Sequence, residues 1–373
     1  MNSSPTLSDV TALSRIGQGC WGIGGEFDRD LSTAAVHSDV LRAGIDAGMS
    51  FLDTAEVYAA GFSEELVGLA IRGRRSETFV ASKFSPENSH FQDVIAAAER
   101  SLLRLGTDYL DLYQVHWPNP AVPLEETIGA MNKLVTDGKV RHIGVSNFSL
   151  GELQAAQAVS DVKIFSNQVE YNLFDRFCET DMLPACRSLN VLLIAYSPLN
   201  KGKAFPDRPG RLELERIAGI YGATVPQIQL SWLASQPNVV PIPKSSNLDR
   251  VRQNAGALDI ALSQEDQDAL DTACRVPVQQ VAPSDINVSG SGEGNRAVYQ
   301  TLEAALENEL NLTPSPSVLA ESLRGGDALK PVRLRRNEAA DALRRYDLVE
   351  GRLRYWASVI AFGADHPVPA LVY

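Results

Sequence analysis

A barrel of eight parallel β-strands alternating with helices, an α/β fold of the TIM-barrel type, followed by a small α+β module, is the architecture predicted by this 373-residue sequence. Three observations carry the prediction. Short apolar segments rich in β-branched and aromatic residues alternate with helix-patterned stretches over residues 15–245, which implies parallel βα units. Eight such segments can be counted, the number that closes a barrel of about 250 residues. Polar residues gather towards the C-terminal ends of these segments (Asp53, Lys83, His116, Ser146, Asn147, Gln168, Tyr196, Lys244), where such a barrel carries its active face. An open doubly wound sheet would instead collect them at one switch point. Past residue 272 the composition turns Gly- and Ser-rich and then locally basic, so the expected division is 1–272 for the barrel and 273–373 for the module.

The first segment is IGQGCWGIGG (16–25), whose glycines read as a turn at the barrel rim; no helical pattern follows closely enough for a G-x-G-x-x-G nucleotide loop. The other seven are SFLDTAEVY (50–58), TFVASKF (78–84), YLDLYQVHW (109–117), VRHIGVSNF (140–148), KIFSNQVEYN (163–172), VLLIAYSPL (191–199) and VVPIPKS (239–245). Between them VIAAAERSLLRLG (94–106) and LEETIGAMNKLVTDG (124–138) have helical spacing. The latter opens on acids and closes on Gly138, the polarity that a helix dipole and C-cap favour. In the C-terminal module PVRLR, YDLVEG and VPALVY read as strands and RYWASVIAFG as a helix, whereas PVQQVAPSDINVSGSGEGNR and TPSPS read as loops.

Composition excludes several classes. A hydrophobic fraction of 44% rules out global disorder. A net charge of −12 argues against a chain-wide nucleic-acid or anionic-membrane surface. No apolar run approaches the roughly 20 residues of a membrane span, and the first residues lack the basic and apolar regions of a secretion signal. The four cysteines (Cys20, Cys178, Cys186, Cys274) are scattered without C-x-x-C spacing, which fits neither a disulfide framework nor a zinc site, and no other metal site is expected. The expectation is a soluble, reduced, cytoplasmic protein.

Asp53, Tyr58, Lys83 and His116 lie on three consecutive strand-to-helix exits. A buried Lys beside a Tyr favours phenolate and lowers the phenol pKa, while a carboxylate fixes the Lys. The Tyr can then act as a general acid, and the His can orient a carbonyl oxygen. Any one of these side chains alone is more simply structural, and His116 alone more simply a core histidine; the ordered set points to proton delivery to an aldehyde or ketone. The set supplies no electrons, so a hydride must come from a cofactor.

These stretches resemble the aldo-keto reductase family: FLDTAEVYAAGFSEELVG, FVASKF, YLDLYQVHWP, GKVRHIGVSNF, NQVEYN, AYSPL and IPKSSNLDRVRQN, in order over residues 15–272. The resemblance implies a (β/α)8 barrel that reduces small-molecule carbonyl substrates with NADPH. It implies Tyr58 as proton donor, Lys83 and Asp53 as its tuning pair and His116 as carbonyl orienter. Ser146, Asn147 and Gln168 would hold the nicotinamide carboxamide, Tyr196 would stack on the ring, and Ser197 and Leu199 would lie along the pyrophosphate. Lys244, Ser245 and Arg250 would bind the 2′-phosphate, with Gln253 and Asn254 at the adenine end, Gln253 standing where many members carry Glu. Two cations near a helix start also form an anion site on physical grounds, which favours NADPH over NADH. Cys20, Trp21 and Trp117 are expected in the substrate pocket, with Phe27, Asp28, Lys201 and Phe205 on loops that vary among members.

The segment LAESLRGGDALKPVRLRR with YDLVEGRLRYWASVIAFGADHPVPALV resembles the ParB/sulfiredoxin-like domain, through a strand, a G-x-x-R box opening a helix, and a strand of V-P-A type. The resemblance implies a phosphate or nucleotide site at Gly351, Arg352 and Arg354; packing or oligomerisation is the plainer alternative. Arg352 stands where sulfiredoxins carry a catalytic Cys, so sulfinic-acid repair is not expected, and with no helix-turn-helix after Tyr373 neither is DNA reading. From Lys330 to Arg354 eight Lys and Arg face four acids, too small an excess against −12 to make nucleic acid the expected partner. A regulatory protein that senses NADPH and signals through this module is the alternative to an enzyme, and the complete tetrad favours the enzyme.

Overall fold

The computed structural model describes residues 14–202, 208–288, 299–310, 312, 314–326, 328–337 and 344–372. The chain divides into two compact units, Met1–Cys274 and Arg275–Tyr373.

The first unit is built on β1 (Gln18–Gly19), β2 (Phe51–Asp53), β3 (Phe79–Phe84), β4 (Leu110–Val115), β5 (Val140–Ser146), β6 (Ile164–Glu170), β7 (Leu192–Tyr196) and β8 (Val239–Pro241). Each strand pairs in parallel with the next, in chain order. The sheet closes where Gly17 N donates to Pro241 O at 2.9 Å, Gly19 N donates to Pro243 O at 3.0 Å, and Gly19 bridges Lys244 in parallel. This seam requires glycine, because a Cβ at Gly17 would lie 2.9 Å from Phe51 O and one at Gly19 2.7 Å from Ile242 O. Gly19 therefore lies in the closing strand and Gly17 directly before it on the seam, a correction to their reading as part of a rim turn; Gly22, Gly24 and Gly25, all with positive φ, form that turn.

Helices α1 (Ala34–Asp46), α2 (Phe62–Ile71), α3 (Phe91–Leu105), α4 (Leu124–Thr136), α5 (Leu150–Ala158), α6 (Met182–Ser188), α7 (Arg208–Ile220), α8 (Val225–Ser235), α9 (Leu248–Ala255) and α10 (Gln264–Ala273) accompany the strands. On α3, Val94, Ala97, Ala98, Ser101 and Leu105 are buried at helical spacing, and the helix stops on left-handed Gly106. No helix among the described residues is long and apolar enough to cross a membrane.

Inside the barrel the period-2 alternation of the strands sorts side chains into layers. Phe51 stacks on Phe79 at 4.9 Å and His142 on Phe165 at 4.2 Å, forming an aromatic layer. One residue pair further along β2 and β3, Asp53 aligns with Ala81, and Lys83 aligns with Gln114 of β4. The apolar residues thus fill one end of the interior while the polar ones occupy the C-terminal end.

The second unit is an α+β module with α11 (Leu302–Leu306), α12 (Pro316–Arg324) and α13 (Arg352–Phe362). Its five strands, β9 (Val278–Val281), β10 (Ile286–Asn287), β11 (Val332–Arg336), β12 (Tyr346–Glu350) and β13 (Val368–Val372), form a mixed sheet in the order β10-β12-β11-β13-β9. Tyr346, Leu348, Tyr355, Trp356 and Val368 form much of its core, and the Trp356 indole donates to Tyr299 O at 3.0 Å. The segment expected as loop from 277 contains β9 and β10, a correction; residues 289–298 lie outside the described residues. Both strands are sheet edges, held by backbone pairing to β13 and β12, and only Val281 and Ile286 are buried, so the apolar alternation that announces a strand is missing.

Candidate active site

The chemistry expected from the sequence meets at the C-terminal mouth of the barrel. Asp53 ends β2 and Lys83 lies near the end of β3, both buried. The Lys83 ammonium donates to Asp53 Oδ2 at 2.6 Å, to Thr54 O at 2.9 Å and to the Tyr58 hydroxyl at 3.3 Å. Burial alone would favour neutral lysine; the Asp53 carboxylate outweighs it, and the Lys83 pKa is raised, so the ammonium stays charged. For Tyr58 burial dominates and raises the phenol pKa, with Lys83 pulling it down and Asp53 pushing it up. This corrects the expectation of a net lowering. The phenol is protonated at neutral pH, the state that a proton donor requires.

His116 follows β4, half-buried, its ring edge-on to Tyr58 at 5.7 Å between centroids. Burial, then the Lys83 charge, pushes its pKa down to about 3, so it is a neutral imidazole with one N–H to donate. We expect kcat/KM for carbonyl reduction to show no histidine limb between about pH 5 and pH 8. An inflection near 6.5, the ordinary histidine value, would contradict the neutral assignment.

Two groups absent from the sequence expectation, Gln114 and Ser166, complete the interior. Gln114 donates to Asp53 Oδ1 at 3.4 Å and accepts from Ser166 Oγ at 3.3 Å. Gln168 also donates to Asp53 Oδ1, at 2.8 Å. Asp53 is thus held from both oxygens. The phase of β4 held the signal: Gln114 stands two residues before His116, on the barrel-facing side of a fully buried strand.

The residues expected around a nicotinamide form a connected arc. Ser146 Oγ donates to Gln168 O at 3.0 Å, Asn147 Nδ2 donates to His116 O at 3.0 Å, and the Tyr196 hydroxyl donates to Asn147 Oδ1 at 3.0 Å. Ser197, with φ 49°, follows Tyr196, and its carbonyl accepts from Asn172 Nδ2 at 3.0 Å; Leu199 packs against a core cluster. Lys244 is exposed beside the closing seam, and Arg250 sits in the first turn of α9, whose N-cap Asn247 bonds Ser245 Oγ. Gln253 and Asn254 lie on the same helix, Asn254 buried. Among the described residues neither Lys244 nor Arg250 pairs with a carboxylate, and both are exposed.

Trp21 and Trp117 are both partly exposed at the mouth. Trp21 is edge-on to Tyr58 at 5.0 Å and to Phe27 at 5.1 Å. Cys20, expected beside them, is fully buried with its thiol towards Gln18 O, and burial followed by Asp53 raises its pKa. It therefore lies behind the pocket wall, a correction. Phe205 lies outside the described residues.

In the second unit Gly351, with φ 96°, begins α13 as expected for a box of this kind, but its arginines turn inward. Arg354 donates to Pro331 O at 2.7 Å and Lys330 O at 3.2 Å, and Arg352 is buried. Both carbonyl bonds come from Nη1, and Nη2 lies 3.8 Å from Glu350 Oε1, so the guanidinium expected to hold a phosphate is engaged within the unit, a correction. Among the described residues no group of His, Cys, Asp and Glu could hold a metal ion.

The profile of the Aldo/keto reductase family matches residues 15–275. Methylglyoxal reductase YeaE of Escherichia coli K12 is 38% identical over 280 residues, covering 74% of this chain and 96% of that protein. A solved thermostable aldo-keto reductase, Tm1743, is 42% identical with a TM-score of 0.67, covering 69% of this chain and 94% of its own. An aldo/keto reductase from Klebsiella pneumoniae, solved with NADP and acetate, is 40% identical with a TM-score of 0.65 over 69% of this chain and 90% of its own.

Proposed function

The chain belongs to the aldo/keto reductase family, and from that premise we propose that it reduces an aldehyde or ketone to an alcohol with NADPH, Tyr58 delivering the proton. The observation that carries this reading is the Lys83 ammonium, buried and within hydrogen-bonding reach of both Asp53 and the Tyr58 hydroxyl. A lysine so placed holds the phenol ready to lose a proton and stabilises the phenolate that remains.

The residues present fit the cofactor. Ser146, Asn147 and Gln168 offer hydroxyl and amide groups beside Tyr196, and Lys244 and Arg250 offer unopposed positive charge at a helix start. NADPH, when bound, supplies the hydride that reaches the carbonyl carbon. The His116 N–H and the Tyr58 hydroxyl hold the carbonyl oxygen, and Tyr58 gives that oxygen its proton. Lys83 keeps the resulting phenolate until water returns a proton. Because one relative is a methylglyoxal reductase, α-oxoaldehydes head the substrate panel. The intact Tyr58–Lys83–Asp53 set favours catalysis over a purely sensory barrel. No ligand is proposed for Arg275–Tyr373: Arg354 is already bonded within the unit.

The Lys244→Ala and Arg250→Ala pair tests the cofactor choice. Each lost charge-assisted phosphate contact is worth about 1.5–3 kcal/mol, so the double variant should bind NADPH at least ~100-fold more weakly. NADH binding should change little. Equal weakening of both dinucleotides would refute the 2′-phosphate assignment.

A further inference from the structure

The segment that follows Tyr58 is strained. Ala59 (φ 49°, ψ 42°), Ala60 (φ 49°, ψ 43°) and Gly61 (φ 84°) are left-handed in succession, and two of the three carry a Cβ. Such backbone persists only where its surroundings hold it. Ala59 N donates to Glu26 O at 2.9 Å, Ala60 O accepts from Arg29 Nη2 at 3.2 Å, and the Arg104 side chain packs against the far end of the turn. There the Arg104 side chain lies so close that a Cβ at Gly61 would meet its Cδ and Nε at 2.7 Å.

Arg104 is in turn fixed by Glu64. The Glu64 carboxylate, in the first turn of α2 and fully buried, accepts from Arg104 Nε at 2.5 Å and from Ser82 Oγ at 2.5 Å. Ser82 immediately precedes Lys83 on β3. The neighbouring Ser63 accepts from Thr54 Oγ1 and donates to Cys20 O, both at 3.1 Å, while Thr54 O receives the Lys83 ammonium. The start of α2 therefore grips the strand exits that carry Asp53 and Lys83 and also the turn that carries Tyr58. A buried carboxylate is an expensive tie, and an apolar residue would fill the space at lower cost. What the ion pair adds is a fixed geometry between the two halves of the site.

We propose that Glu64 and Arg104 are positioning residues for proton transfer: their ion pair holds Gly61, and through it the left-handed turn, so that the Tyr58 hydroxyl stays within reach of Lys83. The proposal rests on the reading of Tyr58 as the proton donor. Without the Glu64 charge Arg104 is released, the turn relaxes towards ordinary backbone, and the phenol moves away from Lys83.

Glu64→Gln, which keeps the volume, tests this. We expect kcat to fall about tenfold or more, with the NADPH dissociation constant and the carbonyl KM within about two-fold of the starting protein. With Lys83 no longer lowering the phenol pKa, the alkaline limb of kcat should move to higher pH. Ala60 is exposed, so Ala60→Gly removes only a solvent-facing methyl while making the left-handed conformation easy. Added to Glu64→Gln it should recover most of the lost kcat. An unchanged kcat, or a loss that Ala60→Gly does not repair, overturns the proposal, whatever happens to the melting temperature. Should Glu64→Gln not fold, Arg104→Lys, alone and with Ala60→Gly, is read by the same criteria. A starting protein that binds NADPH but reduces no carbonyl contradicts the functional reading instead. A crystal structure of the variant still decides this proposal, since a Tyr58–Lys83 distance unchanged from 3.3 Å would overturn it.

Discussion

Tyr58→Phe is expected to lower carbonyl reduction by about 10³-fold, within the range that a positioned general acid contributes, while NADPH still binds. The substitution removes one oxygen and little else. The ring keeps its edge contacts with Trp21 and His116, so the wall of the pocket is preserved. Lys83 keeps Asp53 and Thr54 O, so no charge is stranded. The lost hydrogen bond should cost about 1 kcal/mol of stability. Single-turnover kinetics with NADPH, beside a fluorescence titration of NADPH binding, separates the two effects. Substantial remaining turnover would remove Tyr58 from the mechanism, and lost binding would make it a cofactor residue.

Lys83→Met is expected to be nearly as damaging to rate and far more damaging to the fold. The ammonium is the one cation that touches Asp53 among the described residues, the other contacts being the amides of Gln114 and Gln168. Removing it leaves a carboxylate in the barrel interior with neutral donors alone, at a cost of about 3–5 kcal/mol. Turnover should also fall about 10²–10³-fold, because nothing then stabilises the phenolate. The Lys83→Met/Asp53→Asn double variant separates these roles. Neutralising the carboxylate should restore most of the stability measured by denaturant unfolding, and none of the turnover. Recovery of both would make the pair structural; recovery of neither would deny that Asp53 and Lys83 are coupled.

The barrel was legible because its signal is made by burial: strands enclosed on both sides are apolar, so the polar residues at their ends stand out. Asp53, Lys83 and His116 were visible for that reason. Gln114 was not singled out, since a lone glutamine inside YLDLYQVHW stands out only once its inward phase is known. The net pKa of Tyr58 turns on a balance of burial against a nearby charge, and spacing along the chain cannot weigh the two. Cys20 shows the limit of placing residues by neighbourhood: it is next to Trp21, yet the backbone turns it behind the wall. The Ala59–Ala60 conformation left no trace, because alanine announces helix and the groups around the turn, Glu26 O, Arg29 and Arg104, come from other parts of the chain. In the second unit the strands with buried cores were found, while the edge strands β9 and β10, which owe their existence to backbone pairing, were not.

The most direct test of NADPH-dependent carbonyl reduction is to supply NADPH carrying deuterium at both hydrogen positions of nicotinamide C4, with methylglyoxal and a panel of other aldehydes and ketones, and to analyse the alcohol by mass spectrometry. The expected result is deuterium on the new carbinol carbon, one atom for each NADPH consumed, from the starting protein and not from Tyr58→Phe. Alcohol without deuterium, or NADPH binding with no alcohol from any carbonyl, would contradict it.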